Sequence, residues 1–195
     1  MMVLGLKLSL GLTPYSYPVA ISFEGEGRGL SLDGYDALVG RALNVLTGAS
    51  RVLAPYVPTP PAVLRVLRKL VSEFNPRVVL DAGCGEGVVA ATLSKSGLYT
   101  VCIEISRDRL STAKTSISGK GIGALVDFVE ADLTQLGLRR VDLVYTYLLP
   151  GSVDVVASML PKGCILVSLD YECTSCRRLL GALDTGGHVL YVYMV

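Results

Sequence analysis

The chain has 195 residues, of which 51% are hydrophobic and 18% charged, and its 18 basic and 17 acidic residues leave a formal net charge of +1. This length corresponds to about one domain, and the balanced charge argues against a disordered chain and against a strongly electrostatic nucleic-acid binder. The mean hydropathy of +0.51 raises the question of a membrane span, which needs about 18 nearly uninterrupted apolar residues. No segment of the chain meets this requirement. Even the most apolar N-terminal stretch is interrupted by Lys7, Pro14 and Pro18. We therefore expect no membrane span and a large buried core.

Residues 1–55 are predicted to form an N-terminal extension. Leucines alternate with glycine, lysine and serine over residues 4–12, and apolar residues alternate again over residues 19–23. Alternation with a period of two is typical of half-buried strands, so the two segments predict a β-hairpin. Apolar residues at helical spacing then predict a helix over residues 33–46. Substrate recognition, dimerisation and a lid over a ligand crevice are alternative roles for this extension.

Residues 56–195 are predicted to form the main domain, because short apolar strands alternate there with amphipathic helices. Predicted strands cover residues 77–81, 100–104, 125–130, 141–147, 164–170 and 188–195, and predicted helices cover 61–74, 86–95, 106–116 and 152–160. This alternation indicates an α/β fold, with a doubly wound, mostly parallel sheet and helices on both faces. Strands covered on both faces are almost entirely apolar, which accounts for the high mean hydropathy.

A glycine-rich loop follows the first predicted strand of this domain. It runs Asp81-Ala-Gly83-Cys-Gly85-Glu-Gly87, and glycine allows positive φ and close approach of a ligand to the backbone. The spacing G-x-G-x-G differs from the dinucleotide fingerprint G-x-G-x-x-G. Asp81 would repel a pyrophosphate, so the loop favours a ligand with a cationic end, such as an amino-acid amine or a sulfonium. The alternative is a tight turn with no ligand.

Two further carboxylates follow the next two predicted strands. Glu104 ends the second strand, where an acidic side chain can accept hydrogen bonds from both hydroxyls of a ribose. Asp132 follows the third strand, where it could bond the amino group of an adenine. The alternatives are a solvated strand end for Glu104 and the cap of a turn for Asp132.

Together these motifs resemble the class I S-adenosylmethionine-dependent methyltransferases, over about residues 56–195. Motif I of that family matches the loop from Asp81 to Gly87, its ribose-binding acid matches Glu104, and its adenine contact matches Asp132. The resemblance implies a Rossmann-like fold, S-adenosylmethionine as cofactor and S-adenosylhomocysteine as product.

Flanking segments narrow the resemblance to the archaeal protein-lysine methyltransferases and their mitochondrial relatives. The segment Tyr56-Val-Pro-Thr59-Pro precedes the first helix, and Tyr147-Leu-Leu-Pro follows the fourth strand. In that family the tyrosine and threonine of the first segment help to enclose the cofactor, which implies this role for Tyr56 and Thr59. Thr59 could instead only cap the helix. The closing strand and residues 168–172 also resemble the corresponding segments of that family.

The resemblance implies a protein substrate with an accessible lysine. Tyr147 and Tyr171, both at strand ends, are candidates for an aromatic pocket that holds the amine, because aromatic faces attract cations. Asp170 could assist removal of the proton, or it could cap the following turn. The alternatives are a methyltransferase that acts on RNA or on a small metabolite, and a non-catalytic binding module. No Asn/Asp-Pro-Pro-aromatic run follows the fourth strand, which counts against amino groups of nucleobases.

The remaining cysteine and histidine residues predict no metal site. Five scattered cysteines without a framework spacing indicate a reducing, cytoplasmic compartment, and Cys173-x-x-Cys176 lacks the second ligand pair that zinc needs. We expect ordinary thiols at both positions, with a local disulfide as the alternative. His188, the single histidine, is expected at the edge of the last strand. Few Asn and Gln residues indicate a thermophilic source, and the resemblance indicates an archaeal one.

Overall fold

The computed structural model describes residues 54–119 and 121–195, so the predicted N-terminal hairpin and helix lie outside the described residues. A single seven-stranded sheet organises the described part. Its strands are β1 (Val78–Ala82), β2 (Tyr99–Glu104), β3 (Val126–Glu130), β4 (Leu143–Thr146), β5 (Ile165–Leu169), β6 (Arg178–Asp184) and β7 (Val189–Met194). They lie in the order β3-β2-β1-β4-β5-β7-β6. The first five strands are parallel, and β7 is antiparallel to both of its neighbours.

Four helices cover both faces of the sheet, as predicted; the first precedes β1 and the other three connect strands. They are α1 (Pro61–Phe74), α2 (Val88–Ser94), α3 (Arg107–Ser118) and α4 (Pro150–Met159). Two 3₁₀ turns, Gly123–Leu125 and Leu133–Gln135, flank β3. The doubly wound α/β fold predicted from the sequence is therefore confirmed.

Alternate residues of each strand face opposite layers of the core. Val63 and Leu67 of α1 pack with Val79 of β1 on one face. On the other face Val153 of α4 packs with Leu80, the next residue of β1. Since both faces are covered, the strands can be apolar throughout. Among the described residues, no helix combines the length and apolarity that crossing a bilayer requires.

The antiparallel strand β6 is absent from the sequence prediction. It lies at the outer edge of the sheet, where its side chains are exposed or half-buried. A shift of register between Leu179 and Gly181 also interrupts its pairing with β7. An edge strand with an irregular register has no continuous apolar or alternating pattern, so periodicity does not reveal it.

Four of the five cysteines are paired, and the expectation of ordinary thiols at Cys173 and Cys176 is wrong. These two residues form a disulfide across a short loop, with a Cα–Cα distance of 5.4 Å. A second disulfide joins Cys84 in the glycine loop to Cys102 in β2. Sequence spacing does not reveal this second bond, because its partners meet only once the two parallel strands pair. Cys164 is buried as a free thiol.

The strand order places a crevice at the carboxyl end of β1. The chain passes from β1 to β2 on one side and later returns to β4 on the other side of β1. Connections that leave a strand in opposite directions open a crevice at the carboxyl ends of the strands, where open α/β sheets bind ligands. The glycine loop, the end of β2 and the end of β4 all lie there.

Glycine is required at position 87, where α2 begins. Gly87 has φ +75°, and a Cβ atom there would lie 2.9 Å from the Cβ of Ala113 and 3.1 Å from Cδ1 of Ile117, both on α3. Gly97, which ends the turn after α2, has φ +82°, but no atom lies within 4 Å of the position its Cβ would take. The two glycines share a left-handed conformation and differ in packing.

We predict that Gly87→Ala destabilises the protein by about 1–3 kcal/mol more than Gly97→Ala. Both substitutions place a Cβ at positive φ, which costs about 1–2 kcal/mol, and only the first also overpacks the contact between α2 and α3. Urea unfolding of the two variants measures the difference. Equal losses would contradict close packing at Gly87.

Candidate functional site

A single open cleft at the carboxyl ends of the strands collects most of the predicted site residues. The space in the cleft is about 830 Å³, including the open solvent at its mouth. Predicted residues that line it are Tyr56, Thr59, Asp81, Gly83, Glu104, Asp132 and Tyr147. Gly85 and Gly87 lie behind this lining, and Asp170 and Tyr171 lie beyond it, next to Tyr147.

The glycine loop forms the floor of the cleft. Gly83 has φ +76°, and its exposed backbone lines the opening. The N–H groups of Gly83 and Cys84 both donate to the carbonyl of Ile103 in β2, at 3.0 and 2.9 Å. These bonds hold the loop against β2 at the point where a ligand would contact it.

Gly85 supports the cleft wall from below. A Cβ atom at this position would lie 2.3 Å from Cε2 of Tyr56, so only glycine lets the tyrosine ring lie on the loop. The guanidinium of Arg109 lies over the same ring, 4.9 Å from its centroid. Burial and the neighbouring Glu86 carboxylate raise the pKa of Tyr56, so this wall stays neutral. The ring is thereby held between α3 and the glycine loop.

Glu104 connects the glycine loop to the end of β2. Its carboxylate accepts hydrogen bonds from the N–H of Gly85 at 2.9 Å and from the N–H of Ser106 at 2.8 Å. The side chain is buried, yet it lines the cleft. Because each carboxylate oxygen can accept more than one hydrogen bond, both oxygens keep capacity for ligand hydroxyls.

Asp81 is a fully buried carboxyl group at the end of β1. It accepts a hydrogen bond from the N–H of Ala90 at 3.2 Å, which satisfies one of the free donors in the first turn of α2. Burial raises the pKa of Asp81 to about 7, against the opposing effect of that bond, and the nearby Glu104 adds to the rise. A cationic ligand group would favour the ionised form of this acid.

The opposite side of the cleft carries Asp132 and Thr59. Asp132 accepts from the N–H and the hydroxyl of Thr134, at 3.0 and 2.7 Å, and thus caps a 3₁₀ turn while it also lines the cleft. The hydroxyl of Thr59 is buried and lies 2.8 Å from the hydroxyl of Tyr145. This bond attaches the segment before α1 to the centre of the sheet.

Tyr147 lies at the end of the cleft, where β4 and β5 end. Burial raises the pKa of its phenol, and the negative charge of the nearby Asp170 carboxylate raises it further, so the hydroxyl remains protonated. Asp170 also accepts from Nδ1 of His188 at 2.8 Å and from the N–H of Val189 at 3.0 Å. Tyr171 is half-buried beside the core cluster on the α4 side.

Sequence reasoning missed three of these contacts. Tyr145 shares a strand face with Tyr147, and the period-two pattern of β4 would have revealed this. Arg109 reaches Tyr56 from α3, and no local pattern predicts that contact. His188 was expected at a strand edge, and it pairs with Asp170 at the start of β7.

Comparisons with known proteins agree with this geometry. A family model described as "Methyltransferase domain" matches residues 79–161. A protein-lysine N-methyltransferase of Saccharolobus islandicus (strain REY15A) is 25% identical over 150 residues, which cover 72% of this chain and 93% of that protein.

Solved structures show the same fold. An RNA methyltransferase from Salinibacter ruber, in complex with S-adenosyl-L-homocysteine, has a TM-score of 0.65 and 26% identity, over 71% of this chain and 94% of that one. A methyltransferase from Geobacter sulfurreducens has a TM-score of 0.58 at 17% identity, over 84% and 93% of the two chains.

The resemblance of this chain to the class I S-adenosylmethionine-dependent methyltransferases is therefore confirmed. S-Adenosylmethionine is its cofactor, and the cleft suits that molecule chemically. Three acidic side chains line the cleft, and among its described lining residues Arg109 is the one cation, with its guanidinium over Tyr56. The cleft therefore offers little positive charge to a pyrophosphate. It offers carboxylates to a ligand that carries a sulfonium, an ammonium and ribose hydroxyls.

We predict that Asp81→Asn weakens the pH dependence of the methyltransferase's stability between pH about 4 and 7. Because the folded-state pKa of Asp81 lies above the unfolded value, the native state holds a proton that the unfolded state releases in this range. The wild-type free energy of unfolding should therefore fall as pH rises through the range, by an Asp81 contribution on the order of 3–4 kcal/mol. Urea unfolding at several pH values measures it.

Asp142→Asn is the matched control, and it should leave the pH dependence between pH about 4 and 7 as in wild type. The pKa of Asp142 is lowered, chiefly by its hydrogen bond from the N–H of Val78, so its contribution is lost as pH falls below about 4. The same pH dependence in wild type and Asp81→Asn would contradict the prediction.

Proposed function

We propose that this methyltransferase transfers its methyl group to the side-chain amine of lysine in a protein substrate. The observation that carries the proposal is the position of Tyr147 at the border of the cofactor cleft, where it follows β4 beside the end of the neighbouring strand β5 and Asp170. The 25% identical relative, a protein-lysine N-methyltransferase, supports the same acceptor.

Three carboxylates are assigned to the polar groups of the cofactor. Asp81, buried at the end of β1, faces its ammonium group. Glu104 accepts from the two ribose hydroxyls, and its existing bonds to Gly85 and Ser106 keep it oriented for this role. Asp132 accepts from the adenine amino group at the other end of the cleft.

The remaining cleft residues enclose the cofactor. Tyr56 and Thr59 cover it from the segment before α1, each supported from behind, by Arg109 and by Tyr145 respectively. Gly83 offers an open backbone for direct contact, while Gly85 and Gly87 act through the packing of the loop. When bound, S-adenosylmethionine supplies an electrophilic methyl group, whose bond to sulfur breaks with its electron pair as the bond to the acceptor nitrogen forms.

The acceptor amine has to be neutral before it can react. A desolvated pocket lowers the pKa of a lysine, and the faces of Tyr147 and Tyr171 attract its alkylammonium. We propose that the Tyr147 hydroxyl donates its hydrogen to the nearby Asp170 carboxylate and so presents its oxygen lone pairs to the amine. In this proposal the ammonium releases its proton to the Tyr147 hydroxyl, which passes a proton on to the Asp170 carboxylate.

An RNA acceptor is the second candidate. The Salinibacter ruber relative, 26% identical, is an RNA methyltransferase. Arg139 and Arg140 are exposed beside a groove at the opposite ends of the strands, which an RNA backbone could contact. Protein lysine is favoured because the groups around Tyr147 suit removal of a proton from an amine.

Labelled cofactor distinguishes the two acceptors. The full chain is incubated with S-adenosylmethionine carrying a radioactive methyl group and with a cell extract, which is then treated with protease or with nuclease. We expect label that protease releases and that is recovered in methylated lysine after hydrolysis. Nuclease-sensitive label would overturn the lysine proposal in favour of RNA. Glu104→Ala removes the carboxylate that is assigned to the ribose hydroxyls of the cofactor. This control variant should transfer no label to the extract.

We predict that Tyr147→Phe lowers kcat about 10-fold and changes the dissociation constant of S-adenosylmethionine little. The variant keeps the ring that lines the cleft and loses the hydroxyl that is proposed to bond Asp170. Steady-state kinetics and calorimetry measure the two quantities. Tyr99→Phe is the matched control, because its hydroxyl donates to Asp127 outside the cleft. Equal kcat in wild type and Tyr147→Phe would argue against a role for the hydroxyl.

A further inference from the structure

Asp170 is held in an unusual backbone conformation at the acceptor end of the site. Among the described residues, only Asp170 and Asn75 are non-glycine residues with positive φ, at 63° and 47°. Asn75 ends α1, where a left-handed cap is common. Asp170 directly follows β5 instead, and a side chain in this conformation persists only when surrounding contacts hold it.

The start of β7 supplies those contacts. The backbone N–H of Asp170 donates to the carbonyl of Val189 at 2.8 Å, and Oδ1 accepts from the N–H of Val189 at 3.0 Å. Oδ2 lies 2.8 Å from Nδ1 of His188. Val189 thus fixes the backbone turn and one oxygen, and His188 fixes the other oxygen.

The pairing also determines which nitrogen of His188 carries hydrogen. An ionised carboxylate only accepts hydrogen bonds, so Nδ1 has to be the donor. The carbonyl of His188 accepts from the N–H of Thr185 at 2.8 Å and from its hydroxyl at 3.0 Å, so the backbone that carries the ring is held as well. The two side chains are about one-quarter exposed, which leaves this bond only partly screened by water.

We propose that His188 is a positioning residue for the acceptor amine and acts through Asp170 on Tyr147. By donating from Nδ1, it holds the Asp170 carboxylate in place beside Tyr147, which follows the neighbouring strand β4. Without this donor one carboxylate oxygen loses its partner, and the side chain can rotate away from Tyr147. The inference rests on the proposed role of Tyr147 and Asp170 at the acceptor.

Two amide variants separate this role from a general loss of packing. The amide nitrogen of Asn sits where Nδ1 sits in histidine, and that of Gln sits one bond further, where Nε2 sits. We expect His188→Asn to keep kcat within about 3-fold of wild type, and His188→Gln to lose about 10-fold or more, as for a lost charge-assisted hydrogen bond. The dissociation constant of S-adenosylmethionine should be unchanged in both. Equal kcat in the two variants, or a change confined to cofactor affinity, would overturn the proposal.

A second readout needs neither cofactor nor acceptor. His188 is the single histidine of the chain, so the protein labelled with ¹⁵N gives one pair of imidazole signals. We expect the neutral ring to carry its hydrogen on Nδ1, as the bond to Asp170 requires. A ring protonated on Nε2 instead would overturn the proposal.

The kinetic comparison uses whichever acceptor the labelled extract reveals. If the label enters RNA, the proposed function fails, while the kinetic comparison of His188→Asn with His188→Gln can still be made. If wild type methylates lysine and the two variants match, the proposed function stands and the role of His188 fails.

Discussion

The contact between the glycine loop and β2 is the constraint on which the whole cleft depends. The loop leaves β1 through glycines in left-handed conformations, and such a segment has no regular backbone partners of its own. Ile103 and Glu104 supply those partners from β2, and the disulfide between Cys84 and Cys102 joins the same two segments covalently. The residue that is assigned to the ribose therefore also holds the loop below it.

The same arrangement determines the electrostatics of the site. Packing the loop on β2 brings Asp81 and Glu104 close together inside the protein, where water cannot separate their charges. Burial makes the ionised form of Asp81 costly and so favours a protonated carboxyl group. A cationic ligand would offset that cost, and the cleft is therefore selective for a ligand with positive charge. A site for a pyrophosphate would require the opposite pattern.

The half of the site that we propose for the acceptor is constructed differently. The cofactor half is formed by parallel strands and by the loops that follow them, whereas the acceptor half depends on the antiparallel strand β7 beside β5. The turn at the start of β7 brings His188 and Val189 to Asp170, and Asp170 in turn reaches Tyr147. Changes in this antiparallel part could alter the acceptor, while the parallel strands and the loops that follow them keep the cofactor contacts.

The sequence by itself determined the alternating strands and helices, the glycine loop and the carboxylates at the ends of β1 and β2. These features are local, since a strand, its terminal acid and the following loop are consecutive residues whose periodicity and φ preferences are visible in the chain. Tertiary structure alone decided the rest. The bond between Thr59 and Tyr145 joins residues 86 positions apart, and His188 meets Asp170 across 18 positions. Such contacts depend on which strands become neighbours and on which face each side chain lies, and no local pattern of residues encodes that order.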